Sequence, residues 1–184
     1  MPAYPIEPDK LLDAANRLAP AAAGRGRPPY TAHRRAESTA YYAVFHAIGG
    51  RVVDTVFPSA DDAVRRRVRR WIGHADIRNV AGWVSQLQGT KGGAPPAHIA
   101  ALLSPPGGPV HIDADTVTIA DGFLELNDKR EQADYDQYAV FPRRDTRAQI
   151  ALAQRVVAIV VSARSDEALL FFGLIGMQAK VQSR

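Results

Sequence analysis

Residues 31–57, TAHRRAESTAYYAVFHAIGGRVVDTVF, contain no proline and repeat small or apolar side chains at three- and four-residue steps. This spacing places those side chains on one face of an α-helix. Thr31 is a suitable N-cap, and Pro58 ends the segment. The stretch therefore predicts a long helix whose small face lets a neighbouring helix approach closely. That face consists of Ala36, Ala40, Ala43, Val44, Ala47, Ile48, Val52 and Val56.

The rest of the chain also has helical periodicity, and proline and glycine clusters fall between the periodic segments. Further helices are predicted over residues 9–19, 59–72, 75–88, 114–140, 146–163 and 165–180. Residues 89–109 hold five prolines and five glycines around one apolar turn at residues 99–103, which predicts an exposed, mobile loop. Residues 110–119 alternate like a β-strand, but a single strand would have no partner, so we expect an all-α fold.

The composition is that of one ordinary domain spanning residues 1–184, with 46% hydrophobic and 23% charged residues. There are no cysteines, which excludes thiolate zinc sites, iron–sulfur clusters and cysteine nucleophiles and fits a reducing cytoplasm. The N-terminus lacks the pattern of a signal peptide. The most apolar stretch, residues 168–177, is about half as long as a membrane-spanning helix. We expect a cytoplasmic protein with no membrane association.

Histidines lie at positions 33, 46, 74, 98 and 111, and no two have the three- or four-residue spacing that places metal ligands on one helix face. The sequence also lacks a phosphate-binding glycine loop, a G-x-S-x-G motif and a G-x-G-x-x-G motif. These observations exclude common nucleotide hydrolases and hydride-transfer enzymes. We expect neither a metal nor a cofactor.

Two segments are more polar than helix packing requires. In residues 34–47, RRAESTAYYAVFHA, helical spacing places Arg35, Tyr42 and His46 on one side. In residues 126–136, LNDKREQADYD, Arg130 and Asp134 are four residues apart and can form an ion pair. These side chains are the candidate site.

The pattern R-R-A-x-S-x-A-Y-Y-A-x-F-H-A, followed by a late helix ending in R-x-x-A-D-Y-D, resembles the HEPN superfamily (higher eukaryotes and prokaryotes nucleotide-binding). It is most similar to small bacterial stand-alone members, over roughly residues 30–50 and 115–140. The resemblance implies an up-and-down bundle of four to five helices that forms a homodimer, with the late-helix motifs of both copies meeting in a cleft. Many members are metal-independent ribonucleases of toxin–antitoxin, phage-defence or CRISPR systems, often accompanied by a nucleotidyltransferase-like antitoxin.

The sequence departs from the catalytic form of the family, in which an arginine is followed after four to six residues by a histidine. Here Tyr135 follows Arg130, and no histidine occurs from residue 112 onward. Metal-free RNA cleavage needs a group that takes and gives protons near neutral pH, as histidine does with a pKa of about 6.5. Tyrosine, with a pKa of about 10, is a poor base. It can still donate a proton or orient a phosphate while Arg130 stabilises negative charge on phosphorus.

Two functional hypotheses follow from this departure. The leading one is a dimeric HEPN-type module that binds RNA, a nucleotide or a protein partner around Arg130, Asp134 and Tyr135. The alternative is a metal-independent endoribonuclease toxin in which Arg130 and Tyr135 replace the usual Arg/His motif. A third possibility, an unrelated enzyme with residues 89–109 as a lid, has no supporting constellation.

Structural explanations also remain open for the same residues. His46 suits a hydrogen-bonded core histidine, the neighbouring tyrosines suit core or interface aromatics, and Arg130 with Asp134 suits a surface ion pair. The arginine run at residues 65–70 could contact phosphates, but Asp61 and Asp62 precede it, which favours a solvated helix face. The side chains expected on the buried side of that helix are Val64, Val68, Trp71 and Ile72.

Overall fold

The computed structural model describes residues 6–20, 30–89, 94–103 and 112–181, and these residues form eight α-helices and no β-strand. The all-α prediction is confirmed. The helices are α1 (Pro8–Leu18), α2 (Tyr30–Val56), α3 (Asp62–Trp71), α4 (His74–Leu87), α5 (Ala97–Leu103), α6 (Ala114–Tyr135), α7 (Arg143–Ser162) and α8 (Asp166–Val181). Among these described helices, none is both long and apolar enough to cross a lipid bilayer.

Helix α2 lies at the centre of the bundle and packs against α1, α6, α7 and α8. It can contact so many neighbours because its small and apolar residues occur on several sides. The predicted face of small side chains is buried, including Ala36, Ala40 and Ala43. At Gly176 of α8, a Cβ atom would lie 2.8 Å from Val56 Cγ2, so this close approach of α8 to α2 depends on glycine.

Gly122 of α6 has a packing role that the sequence did not reveal. Periodicity alone marks it as a weak point that a helix tolerates. A Cβ atom at this position would lie 2.5 Å from Cγ2 of Val156 on α7, a side chain that is itself fully buried. The glycine therefore allows α6 and α7 to pack closely.

Helix α6 ends at Tyr135, so the predicted end near Val140 is wrong. Its 22 residues span about 33 Å. The Arg34 guanidinium of α2 caps this end of α6 from outside the helix. Arg34 donates hydrogen bonds to the carbonyls of Gln132, Ala133 and Asp136. A basic group is favoured there because the last carbonyls of a helix lack intrahelical donors and carry partial negative charge.

The apolar turn predicted inside residues 89–109 is the seven-residue helix α5, and it packs Ile99 and Leu103 into the core. Residues 90–93 and 104–111, for which mobility is expected, lie outside the described residues. The residues from Ala114 onward are helical, with Asp113 as the N-cap, as expected when the strand alternative was rejected. The Asp113 carboxylate accepts a hydrogen bond from Thr116 N at 2.9 Å.

Helix α3 is less buried than its pattern suggests. The expected burial of Trp71 and Val64 is wrong, because both are exposed. Val68 is partly buried against the core, and Ile72, just after the helix, is buried. The described contacts of α3 are mainly with α2, so this short helix has too little partner surface to cover its whole apolar stripe.

Candidate functional site

Arg130 is the centre of the candidate site and lies on α6 with only 15% of its side chain exposed. Its Nε lies 2.7 Å from Oδ2 of Asp134, one turn later, which confirms the expected ion pair. The other carboxylate oxygen of Asp134 accepts a hydrogen bond of 2.6 Å from the Ser38 hydroxyl on α2. Ser38 therefore fixes the carboxylate that holds the guanidinium, and the pair is more than a surface contact within one helix.

Three aromatic rings surround the Arg130 guanidinium. Its Cζ atom lies 5.3 Å from the ring centroid of Tyr135, 5.9 Å from that of Tyr42 and 6.0 Å from that of Tyr41, within the range of cation–π attraction. Nη2 also donates a hydrogen bond of 3.3 Å to the Tyr42 hydroxyl. Burial alone would lower the pKa of Arg130, but the bond to Tyr42 and the charge of Asp134 outweigh it and raise the pKa.

The site reaches solvent at Tyr135. Among the described residues, Nε lies against Asp134, Nη2 donates to Tyr42, and the guanidinium is also hydrogen-bonded to the Tyr135 side chain. The Tyr135 ring beside it is 75% exposed. Guanidinium donors suit phosphate or carboxylate oxygens, and an exposed ring suits a planar base. The arrangement can therefore hold a ligand that carries both an anion and a flat ring.

His74, the first residue of α4, belongs to this cluster although no sequence rule connected it to Arg130. Its Nδ1 forms a 2.5 Å hydrogen bond with the Tyr41 hydroxyl, and its ring stacks on Phe45 with centroids 4.2 Å apart. Burial, followed by the charge of Arg130, lowers the pKa of His74. The imidazole is therefore neutral near pH 7.

His46 is a second neutral imidazole, one aromatic ring away from Arg130. Its ring stacks on Tyr42 with centroids 6.3 Å apart, and no described contact joins it to Arg130 directly. Burial, followed by the charges of Arg69 and His74, lowers the pKa of His46 to about 4. The structure thus places His46 beside the site rather than against the guanidinium.

Arg35 does not share the environment of Tyr42 and His46, with which the sequence grouped it. Its side chain is exposed and makes no polar contact with the described residues. The arginine that reaches α6 is its neighbour Arg34. Together with Ser38 and Tyr42, at four-residue steps, Arg34 defines the face of α2 that meets the end of α6.

The described residues contain no group of three or more His, Asp or Glu side chains that could hold a metal ion. A surface depression between α1 and α7 shares no residue with the Arg130 site. It is lined by Asp13, Asn16, Arg17, Pro20 and Arg147.

No known protein family, curated protein or solved structure matches this chain. The HEPN resemblance and the functions it implies therefore stay predictions that rest on the residues themselves.

Proposed function

We propose that this chain is a HEPN-type helical module that binds RNA or a nucleotide at Arg130. The observation that carries the proposal is a guanidinium fixed by Asp134 and aromatic rings, next to the exposed Tyr135 side chain. A phosphate would accept hydrogen bonds from Arg130, and the attached base would stack on Tyr135. Because the pair is already ordered, little side-chain freedom is lost on binding.

The proposal includes a homodimer in which two copies of Arg130 and Tyr135 share a cleft. Tyr135 and the nearby residues Tyr138 and Val140 are exposed, and exposed apolar side chains of this kind suit a contact with a second copy. We place such a dimer in a toxin–antitoxin or defence-type system of the cytoplasm, with a nucleotidyltransferase-like antitoxin as a possible protein partner. Light scattering of the purified protein tests the dimer, and a monomer at all concentrations would contradict it.

Fluorescence anisotropy with a labelled single-stranded RNA and a labelled adenine nucleotide tests the binding function. Arg130→Lys keeps the charge but loses the planar fork, and Tyr135→Ala removes the exposed ring. Each is expected to raise the Kd by about tenfold. Tyr135→Phe keeps the ring and should bind like the wild type.

Thermal unfolding shows whether each of these variants is folded, and Tyr135→Ala is the safer substitution because the ring is exposed. The proposal fails if neither ligand binds the wild-type protein. It also fails if folded Arg130→Lys and Tyr135→Ala proteins bind both ligands with unchanged affinity.

The second candidate is the endoribonuclease toxin, and the neutral His74 imidazole beside Tyr41 and Arg130 is the observation that favours it. In the tautomer whose Nδ1–H donates to the Tyr41 hydroxyl, Nε2 of His74 can accept the proton of a ribose 2′-hydroxyl, Arg130 can stabilise charge on phosphorus, and Tyr135 can give a proton to the leaving oxygen. Tyr135→Phe separates the two functions, because it should abolish cleavage but preserve binding. Overexpression that leaves growth and cellular RNA intact would rule out the toxin.

A further inference from the structure

Helix α3 is attached to α2 by two arginines one turn apart. Arg65 pairs with Asp54 and donates a hydrogen bond of 3.2 Å to the carbonyl of Phe57. Arg69 donates a hydrogen bond of 2.8 Å to the carbonyl of His46. These contacts determine which side of α3 faces α2, and the opposite side faces solvent.

The solvent side of α3 is basic and carries an exposed tryptophan. Arg66, Arg67 and Arg70 are exposed and make no polar contact with the described residues, and Trp71 is 62% exposed. The acidic residues of this region are Asp61, which precedes the helix, and Asp62, its first residue, one turn before Arg66. Asp61 is already engaged as the N-cap, where it accepts a hydrogen bond from the backbone of Val64. The outward face, Arg66, Arg67, Arg70 and Trp71, is called the α3 face below.

Two connections join helix α3 to the residues around the Arg130 site. Trp71 precedes His74 by three residues, so their Cα atoms are at most about 11 Å apart. His74 packs against Tyr41, one of the rings around Arg130. The second connection is Arg69, whose partner His46 stacks on Tyr42.

We infer that the α3 face binds the backbone and one base of a single-stranded polynucleotide, another nucleotide of which occupies the Arg130 site. Three exposed arginines within five residues match the repeated charges of phosphodiesters, and an exposed tryptophan stacks on any base. A lone nucleotide would be too small to engage both surfaces. The inference rests on the proposed function and selects a polymer, rather than a mononucleotide, as the ligand.

Anisotropy with a labelled oligouridylate of about 15 nucleotides and a labelled trinucleotide, at about 50 and 200 mM salt, tests this inference. The test variant is Arg66→Gln/Arg67→Gln/Arg70→Gln. The matched control, Arg17→Gln/Arg144→Gln/Arg155→Gln, removes the same charge from exposed positions on α1 and α7. All six positions are exposed, so both proteins should fold, and thermal unfolding checks this.

The test variant is expected to weaken oligouridylate binding by about tenfold and to reduce the slope of log K against log salt by about 2, since each lost contact with a single strand contributes roughly 0.7. Trp71→Ala should weaken binding by about tenfold through lost stacking. The control should change the Kd by less than about threefold. Neither substitution in α3 should remove the dependence of trinucleotide binding on Arg130.

Equal weakening by the test variant and the control would overturn the inference, and the proposed function would survive if Arg130→Lys still weakened trinucleotide binding. Oligouridylate binding that depends on the α3 face but not on Arg130 would leave the α3 face established and refute the proposed function. Trp71-dependent binding to phosphatidylserine vesicles without RNA binding would make α3 a membrane contact and also overturn the inference. Failure of both RNA probes to bind the wild type would refute both proposals.

Discussion

Helix α2 carries two polar faces close together in sequence, one that contacts α6 and one that is buried in the core. Arg34, Ser38 and Tyr42 face α6, where each side chain has a hydrogen-bond partner and solvent reaches the edge of the site. His33 and Glu37 are on the buried side, and Glu37 is only 2% exposed. Adjacent polar residues in one motif therefore belong to different surfaces, because successive residues of a helix point about 100° apart.

Several polar atoms on the buried face have no hydrogen-bond partner among the described residues. Burial raises the pKa of Glu37 to about 7, and nearby Thr146 and Lys129 only partly oppose this. The Thr146 hydroxyl approaches Glu37, but the geometry leaves it without a hydrogen bond. Other buried side-chain atoms without a partner here are His33 Nε2, Glu37 Oε2 and Gln149 Oε1.

Burial favours the neutral form of both Glu37 and His46. Because one is an acid and the other a base, their effects on stability change with pH in opposite directions. A raised carboxyl pKa makes the folded state hold its proton more tightly than the unfolded state does. A lowered histidine pKa, as in His46, does the reverse. Between pH 4.5 and 6.5 the contributions of Glu37 and His46 to the free energy of unfolding therefore have opposite slopes.

Glu37→Gln should have the largest effect. The stability that the Glu37 proton contributes is fully present below pH 4.5 and is lost as pH rises through about 7. A neutral glutamine escapes this loss, so relative to the wild type the variant should gain about 3 kcal/mol of unfolding free energy as pH rises across that window. Urea denaturation at about pH 5 and pH 8 measures it.

Asp128→Asn is the control for Glu37→Gln, because Asp128 is an exposed carboxylate on α6. It should change the free energy of unfolding by no more than about 0.5 kcal/mol at either pH. A Glu37→Gln protein whose stability difference from the wild type is the same at both pH values would show that Glu37 is not a buried acid.

His46→Gln should show the opposite pH dependence. The stability associated with neutral His46 is present above pH 6.5 and is lost as pH falls through about 4. Relative to the wild type, the variant should gain up to about 3 kcal/mol as pH falls across that window, and less where water reaches the half-buried ring. NMR titration of the imidazole protons checks the pKa directly, and a value near 6.5 would refute the prediction.

Arg34→Ala should cost about 2 kcal/mol of unfolding free energy, because three carbonyls at the end of α6 lose a charged donor. Arg35→Ala is the matched control. It removes the adjacent, exposed arginine and should change stability by less than about 0.5 kcal/mol. Equal effects of the two substitutions in urea denaturation would mean that Arg34 does not cap α6.

Ser38→Ala should have the smallest effect, about 1 kcal/mol, because it removes one hydrogen bond to Asp134. Thr39→Ala is the control, since the Thr39 hydroxyl donates only to the carbonyl of Arg35 within its own helix. That control should be neutral or slightly stabilising in the same denaturation experiment. If the Ser38→Ala and Thr39→Ala proteins are equally stable, the hydrogen bond from Ser38 to Asp134 does not stabilise the fold.

The helices could be predicted from the sequence because proline, glycine and periodicity are local signals. The end of α6 could not, since its cap is Arg34, which is distant in the chain. The exposure of Trp71 could not either, because burial of a short helix depends on the surface it meets. These are properties of packing between helices, on which local patterns carry no information.

The same division holds for the site. The pair of Arg130 and Asp134 was predictable from four-residue spacing within one helix. Ser38 and His74 were not, because they reach Asp134 and Tyr41 from other helices. Whether a polar residue such as Glu37 joins the site or the core also depends on the neighbouring helix.

The most direct test of the account is a two-dimensional ¹H–¹⁵N NMR titration of the protein with single-stranded RNA. If the site is correctly placed, the Nε–H signal of Arg130 and the amides around Ser38 and Tyr135 shift with increasing RNA, and those around Glu37 and Thr146 do not. Unchanged signals at Arg130 and Tyr135, or shifts confined to the interface between α2 and α7, would contradict it.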